Sequence, residues 1–231
     1  VSANSPTDIP VSRERARPHD LIARQIIDGL YEGRFVPGQR LVEADLMERY
    51  QASRASVREA LSRMEAAGVV QLSHNKGASI RALSRREARD IVVVTEVLNG
   101  LMARLAAQNI GQPGAAALVR GAYKALQATR TAASFAERVR IRNGYYRALI
   151  EVGGNLELTR VLANTDVHLI RTQFVQYDFD YERRRFELYR DLNRAVLAGN
   201  ADQAEALGRA RSRLLRDGLE ALPDEAFAQK D

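Results

Sequence analysis

Only one stretch of this chain reads as β structure. Val69, Val70, Gln71 and Leu72, then Ala78, Ser79 and Ile80, form two short runs joined by the polar tip Ser73-His74-Asn75-Lys76-Gly77, the pattern of a hairpin. Every other periodic segment repeats at three to four residues. A single hairpin between three helices and a long helical remainder limits the chain to a mainly α fold.

The segment before the hairpin reads as three helices. From His19 to Tyr31 the apolar residues Leu21, Ile22, Ile26 and Leu30 keep helical spacing. Gly33 to Gly38, with Pro37, is a turn. Val42 to Tyr50 is a short helix with Leu46 and Met47, and Gln51-Ala52 is a short connection. Ser53 is the N-cap of a helix from Arg54 to Ala67 whose Val57, Leu61 and Met64 face inward. Gly68 ends it. Helix, helix, helix, hairpin is the order of a winged helix-turn-helix, here over residues 18–83. Residues 1–17 have no periodicity and read as an arm, either a solvated tail or, through Arg13, Arg15 and Arg17, a basic strand touching phosphates.

Ser84 followed by Glu87 is a capping box. Beyond it the periodicity predicts helices over Arg85–Ile110, Gly114–Arg130, Ser134–Val152, Leu156–Tyr177, Tyr181–Ala198 and Ala201–Leu222. Residues 84–231 therefore read as an all-helical second domain, a bundle long enough for its own core.

Composition closes off most chemistry. There is no cysteine and there are three histidines, so thiolate metal sites, disulfides and cysteine nucleophiles are excluded. No Ser-His-Asp or His-Glu-x-x-His pattern, phosphate loop or dinucleotide fingerprint occurs, so no enzyme is expected. No apolar run approaches the roughly 20 residues of a membrane span. Val1–Arg17 lacks the apolar core of a secretory signal, so the expected compartment is the cytoplasm.

The formal charge is +6, and its position matters more than its size. Between Ser53 and Arg81, Arg54, Arg58, Arg63, Lys76 and Arg81 face only Glu59 and Glu65. A recognition helix lies in the major groove with its N-terminal residues at base edges. Arg54 and Arg58, four apart, share a face and suit guanine O6 and N7. Ser53 and Ser56 suit phosphates at a helix N-terminus. His74, Asn75, Lys76 and Gly77 suit a wing tip on phosphate or in a minor groove. A solvated charged face is the competing reading of the arginines.

The run "PGQRLVEADLMERY" followed by "SRASVREALSRMEAAGVV", with Leu21, Ile22, Leu30 and Gly33 before it and Leu72 and Gly77 after, resembles the GntR family of bacterial transcription regulators. That resemblance implies DNA-contact roles for Arg54, Arg58, His74 and Gly77. Ala44 departs from an arginine present in some relatives.

The helical half resembles the FCD domain of the FadR-like subgroup, a bundle of six or seven helices around a ligand cavity. "YYRALIEVGGNLEL" and "LYRDLNRAVLAGNADQAEAL" carry the likeness. Many such domains bind a divalent metal through one aspartate and three histidines. Here those positions are Arg142, Tyr146, Tyr189 and Arg211, none of them a ligand of that kind, so no metal or other cofactor is expected.

The resemblance implies that Arg142 and Arg211 face one cavity with Tyr146 and Tyr189. Guanidiniums match carboxylate geometry, and phenols supply hydroxyls and aromatic walls. Thr95, Asn99, Asn164, His168, Arg171 and Asn193 are further candidates to line it, or are simply exposed. The resemblance implies a ligand-responsive regulator, expected to be a repressor. It would bind a palindromic double-stranded operator as a homodimer and answer to a small organic acid. The alternative is an effector-independent DNA-binding protein with a vestigial cavity.

Overall fold

The computed structural model describes residues 17–73, 77–129, 134–163, 167–174 and 182–229. The chain runs α1 (Pro18–Tyr31), β1 (Arg40–Leu41), α2 (Glu43–Tyr50), α3 (Arg54–Ala66), β2 (Val70–Ser73) and β3 (Gly77–Ile80). It continues through α4 (Arg85–Gln108), α5 (Ala115–Ala128), α6 (Phe135–Gly153), α7 (Leu156–Ala163), α8 (Val167–Gln173), α9 (Glu182–Leu197) and α10 (Ala201–Glu220). A winged helix-turn-helix and a helical bundle are the two parts of a mainly α fold.

Contacts gather the chain into two units. The first comprises residues 1–84, 166–176 and 225–231. Its α1 begins with Pro18, whose missing N–H costs nothing at a helix start. Ile22, Ile26 and Leu30 recur every fourth residue and are buried, while Leu21 stays exposed. Ser53 caps α3 by accepting from the Ser56 backbone N–H at 3.2 Å, and Val57, Leu61 and Met64 are buried beneath that helix. Between α2 and α3, Gln51 takes a left-handed φ of 48°. A side-chain bearing residue there costs about 1–2 kcal/mol, offset in part as its Nε2 donates to the Glu48 carbonyl at 2.8 Å.

The sheet has the order β1-β3-β2, all antiparallel. β2 and β3 pair from Val70↔Ile80 to Ser73↔Gly77, as the hairpin pattern predicts. β1 adds Arg40↔Ser79 and Leu41↔Ala78 on the other edge. Two residues are too few to show alternation, so the sequence carries no sign of β1.

Within the predicted helix Leu156–Tyr177 the structure describes α7 (Leu156–Ala163) and α8 (Val167–Gln173), with residues 164–166 and 175–177 outside the described residues. α8 belongs to the first unit. There Gln173 accepts from the Leu83 N–H at 2.7 Å and donates to the carbonyls of Leu83 at 2.9 Å and Ala226 at 3.1 Å. Phe174 packs on Phe227 with ring centres 5.0 Å apart.

The second unit comprises residues 85–165 and 177–224. Its core includes Met102, Ala103, Ala106, Val119, Tyr145, Leu149, Tyr189, Leu192 and Val196. At Gly208, α10 packs directly against the backbone of α4. A Cβ at Gly208 would stand 2.6 Å from the Asn99 carbonyl oxygen, and the Asn99 amide donates to Ser212 Oγ at 2.9 Å. Charged pairs flank that seam. Arg104 meets Asp202 and Glu205, and Glu96 meets Arg213 and Arg216. The Arg104–Asp202 pair lies in water on its acidic side and is weakened by screening, whereas the Glu96 carboxylate is largely buried beneath its two arginines.

Candidate functional site

Two groups of side chains stand out, one in each unit. In the first, the start of α3 presents Arg54 and Arg58, whose side chains are 67% and 62% exposed. Helical spacing sets them one turn apart on the face away from Val57 and Leu61. Both donate from Nε to the carboxylate of Glu43, the first residue of α2. The distances are 3.0 Å from Arg54, and 3.0 and 3.2 Å from Arg58 to the two carboxylate oxygens. Hydrogen bonds from Arg54 and then Arg58 hold the Glu43 carboxyl below its ordinary value.

Ser53 and Ser56 lie beside them with hydroxyls 3.0 Å apart. Gly77 opens β3 with φ at 74° and nothing within 4 Å of where a Cβ would be. That glycine serves the backbone turn, not close approach. His74, Asn75 and Lys76 lie outside the described residues. Sequence reading missed Glu43 as a site residue. Its partners are 11 and 15 residues away, beyond the reach of periodicity.

In the second unit the four positions compared with the family's metal ligands do come together. Arg142 and Tyr146 share a face of α6, Tyr189 comes from α9 and Arg211 from α10. The Arg142 guanidinium lies 4.9 Å from the Tyr146 ring centre. That of Arg211 lies 5.5 Å from the Tyr146 ring and 5.2 Å from the Tyr189 ring. Arg211 also donates from Nε to the Tyr146 hydroxyl. The Tyr146 and Tyr189 rings meet edge to face at 6.3 Å. Arg211 is 7% exposed and Tyr189 1%. Burying a guanidinium is costly unless it is paired, and the phenol bond and two ring faces offset part of that cost.

Tyr145, absent from the sequence-derived set, sits edge-on to Tyr146 at 6.2 Å and to Tyr189 at 5.8 Å. Its hydroxyl has no hydrogen-bond partner among the described residues. Its signal was only its place beside Tyr146. Arg185 on α9 is a further addition, because its charge acts on Tyr189. Burial pushes the Tyr145 phenol up. Burial likewise pushes Tyr146 up to about 12, against the pull of Arg211 and Arg142. Burial acts on Tyr189 in the same sense, but the charges of Arg211, Arg142 and Arg185 outweigh it and hold that phenol below its usual value.

The other candidates fall in several places. Asn193, one turn beyond Tyr189, is 7% exposed and its Oδ1 has no partner among the described residues. The Thr95 hydroxyl donates to the Ile91 carbonyl at 2.6 Å, and the Asn99 amide is spent on Ser212. Arg171 lies on α8, in the first unit. Asn164 and the His168 side chain lie outside what is described.

Guanidiniums and phenols in this arrangement do not fit a divalent metal, since two of the four groups are fixed cations. Among the described residues no group of three His, Cys, Asp or Glu could hold one. No helix among them is long and apolar enough to cross a membrane.

Residues 18–80 match the bacterial regulatory proteins of the gntR family, and residues 90–212 match the FCD domain. The HTH-type transcriptional regulator Rv0494 of Mycobacterium tuberculosis is 31% identical over 162 residues, 63% of this chain. The HTH-type transcriptional regulator YdhC of Bacillus subtilis is 22% identical over 144 residues, 62% of this chain. The chain aligns with 65% and 64% of those two proteins' own lengths. Among solved structures, E. coli McbR/YncC shares the fold with a TM-score of 0.74 at 16% identity, over 89% of this chain and 97% of that one.

Proposed function

The chain belongs to the gntR family of bacterial regulatory proteins, with an FCD domain as its second half, and on that premise we propose that it is a DNA-binding transcription regulator whose FCD domain answers to a small organic anion. The family consists of regulators, not enzymes. The convergence of Arg142 and Arg211 on Tyr146 carries the effector reading. Two cations and two phenols occupy the place where many FCD domains bind a metal, so an acidic ligand would meet guanidinium directly. The effector can alter DNA binding only by favouring one arrangement of the protein over another.

DNA recognition is assigned to Ser53, Arg54, Ser56 and Arg58, with the 74–77 tip on the backbone. Residues 18–83 form the reading module and residues 84–231 the sensing module. A homodimer on a palindromic operator is the proposed assembly. α4 supports it, because Val93, Val94, Val97 and Leu101 are 48%, 52%, 48% and 37% exposed along one helix. Such a stripe is costly to leave in water. Repression is the proposed sign of regulation, a dimer across two half-sites occluding the DNA beneath it. The cytoplasm is the proposed compartment.

One observation favours the second reading, an effector-independent DNA-binding protein. Both guanidiniums already lie against tyrosine faces, as in a site that has closed on itself. Thermal-shift screening against mono- and dicarboxylates and inorganic phosphate separates the two. An anion that raises Tm in the wild type, and no longer does so in Arg142→Ala, supports the effector site. No response across the panel supports the second reading.

A further inference from the structure

In the proposed reading face, the two guanidiniums meet a carboxylate before they meet DNA. Glu43 is the only protein partner that either Arg54 or Arg58 has among the described residues. Both use Nε for that bond. No hydrogen bond within the described residues engages their terminal Nη groups, which can make the fork onto guanine O6 and N7. A flexible arginine pays side-chain entropy each time it orders on a base. Two arginines held on one carboxylate have lost much of that freedom already.

The same contact acts on charge. Phosphate attraction is sequence-independent and grows with each cation that displaces a counterion. A carboxylate bonded to both guanidiniums lowers the local charge from +2 to +1, so the pair is less adhesive to any DNA. A fixed orientation is rewarded at the base edge it matches, whereas phosphates offer acceptors in many orientations and reward it less.

We propose that Glu43 is a specificity-determining positioning residue, aiming the outer edges of Arg54 and Arg58 at bases while reducing their affinity for phosphate. The inference rests on the reading of those two arginines as the base-contacting pair. A purely structural role is the competing account, since an acidic residue in the first turn of α2 also favours that helix.

The experiment uses the full chain and its Glu43→Gln and Glu43→Asp variants. Duplexes are enriched by the wild type from a random-sequence pool, and affinity for the enriched and for a scrambled duplex is measured across salt concentrations. Glu43→Gln is expected to bind the scrambled duplex several-fold tighter, with a salt slope steeper by about 1. Its preference for the enriched duplex is expected to fall tenfold or more, and Glu43→Asp to restore part of it. An unchanged preference, or equal weakening on both duplexes, overturns the proposal. So does the absence, in spectra of the free wild type, of slowly exchanging Nε–H signals that vanish in Arg54→Lys and Arg58→Lys. That measurement stands even if Glu43→Gln fails to fold. A wild type that enriches no sequence overturns the reading of the arginines instead, and the inference with it.

Discussion

Arg211 on α10 donates its Nε–H to the phenol oxygen of Tyr146 on α6, two residues 65 positions apart. This bond ties two helices through a guanidinium that is almost wholly out of water. Tyr146→Phe removes the acceptor and leaves the ring. The expected cost is about 1–3 kcal/mol, read as a lower urea midpoint at unchanged slope. An unchanged midpoint would show that the bond contributes nothing to folding.

Stability should depend on alkaline pH in two opposed senses. Tyr146 keeps its proton up to about 12, whereas the unfolded chain loses it near 10. The folded state then holds more protons in that window, so this group's stabilisation is complete below about 10 and is lost as pH rises towards about 12. Tyr189 is lowered, so its contribution is present above about 10 and is lost as pH falls through its folded value. Phenolate absorbance should show one early tyrosine and a late group. Tyr189→Phe should delete the early step.

Gly208→Ala is expected to destabilise the helical unit by about 1–3 kcal/mol. Its new Cβ would meet backbone, the Asn99 carbonyl, at 2.6 Å. Gly121→Ala is the control. It lies within α5 with nothing within 4 Å of the added carbon, and the better helix former should gain about 0.5–1 kcal/mol. Thermal melts of the two should move in opposite directions.

Arg54→Ala should weaken binding to an enriched duplex by about 1–3 kcal/mol and relax base preference at one position of each half-site. Anisotropy titrations with single-base variants of that duplex read both effects. Unchanged affinity would remove α3 from the role of reading helix.

Val97→Glu places a charge in the centre of the exposed valine stripe of α4. The expected result is a shift from dimer to monomer in sedimentation, with a melting temperature that falls and no longer rises with protein concentration. A monomeric wild type would dispose of the proposed assembly.

What could be read from the residues depended on the range of the interactions. Val57, Leu61 and Met64 announce a buried face because helical spacing is local, and Ser53 announces a cap for the same reason. The hairpin follows from two apolar runs about a polar tip. The place of α8 in the first unit was not legible, because Leu158, Leu162, Leu169 and Ile170 keep one helical rhythm and the partners of Gln173, Leu83 and Ala226, lie far along the chain. Arg142, Tyr146, Tyr189 and Arg211 were found through a family pattern, and their own spacing would not have grouped them. Glu43, Tyr145 and Arg185 were missed because their importance lies in partners from other elements or from the interior of the bundle.

The carboxamide of Gln173 bears on how such regulators can be recombined. It holds both the N–H and the carbonyl of Leu83, the residue at which a simple cut would divide the chain. Leu83 is fully buried, and Ala228 also donates to its carbonyl at 2.9 Å. The first unit is thus assembled from three separate lengths of chain. A chimera that transplants only residues 18–83 onto another sensor leaves two of them behind. Modules that look severable in one dimension are stitched in three, and a working graft would have to carry α8 and the residues around Phe227 with the reading head.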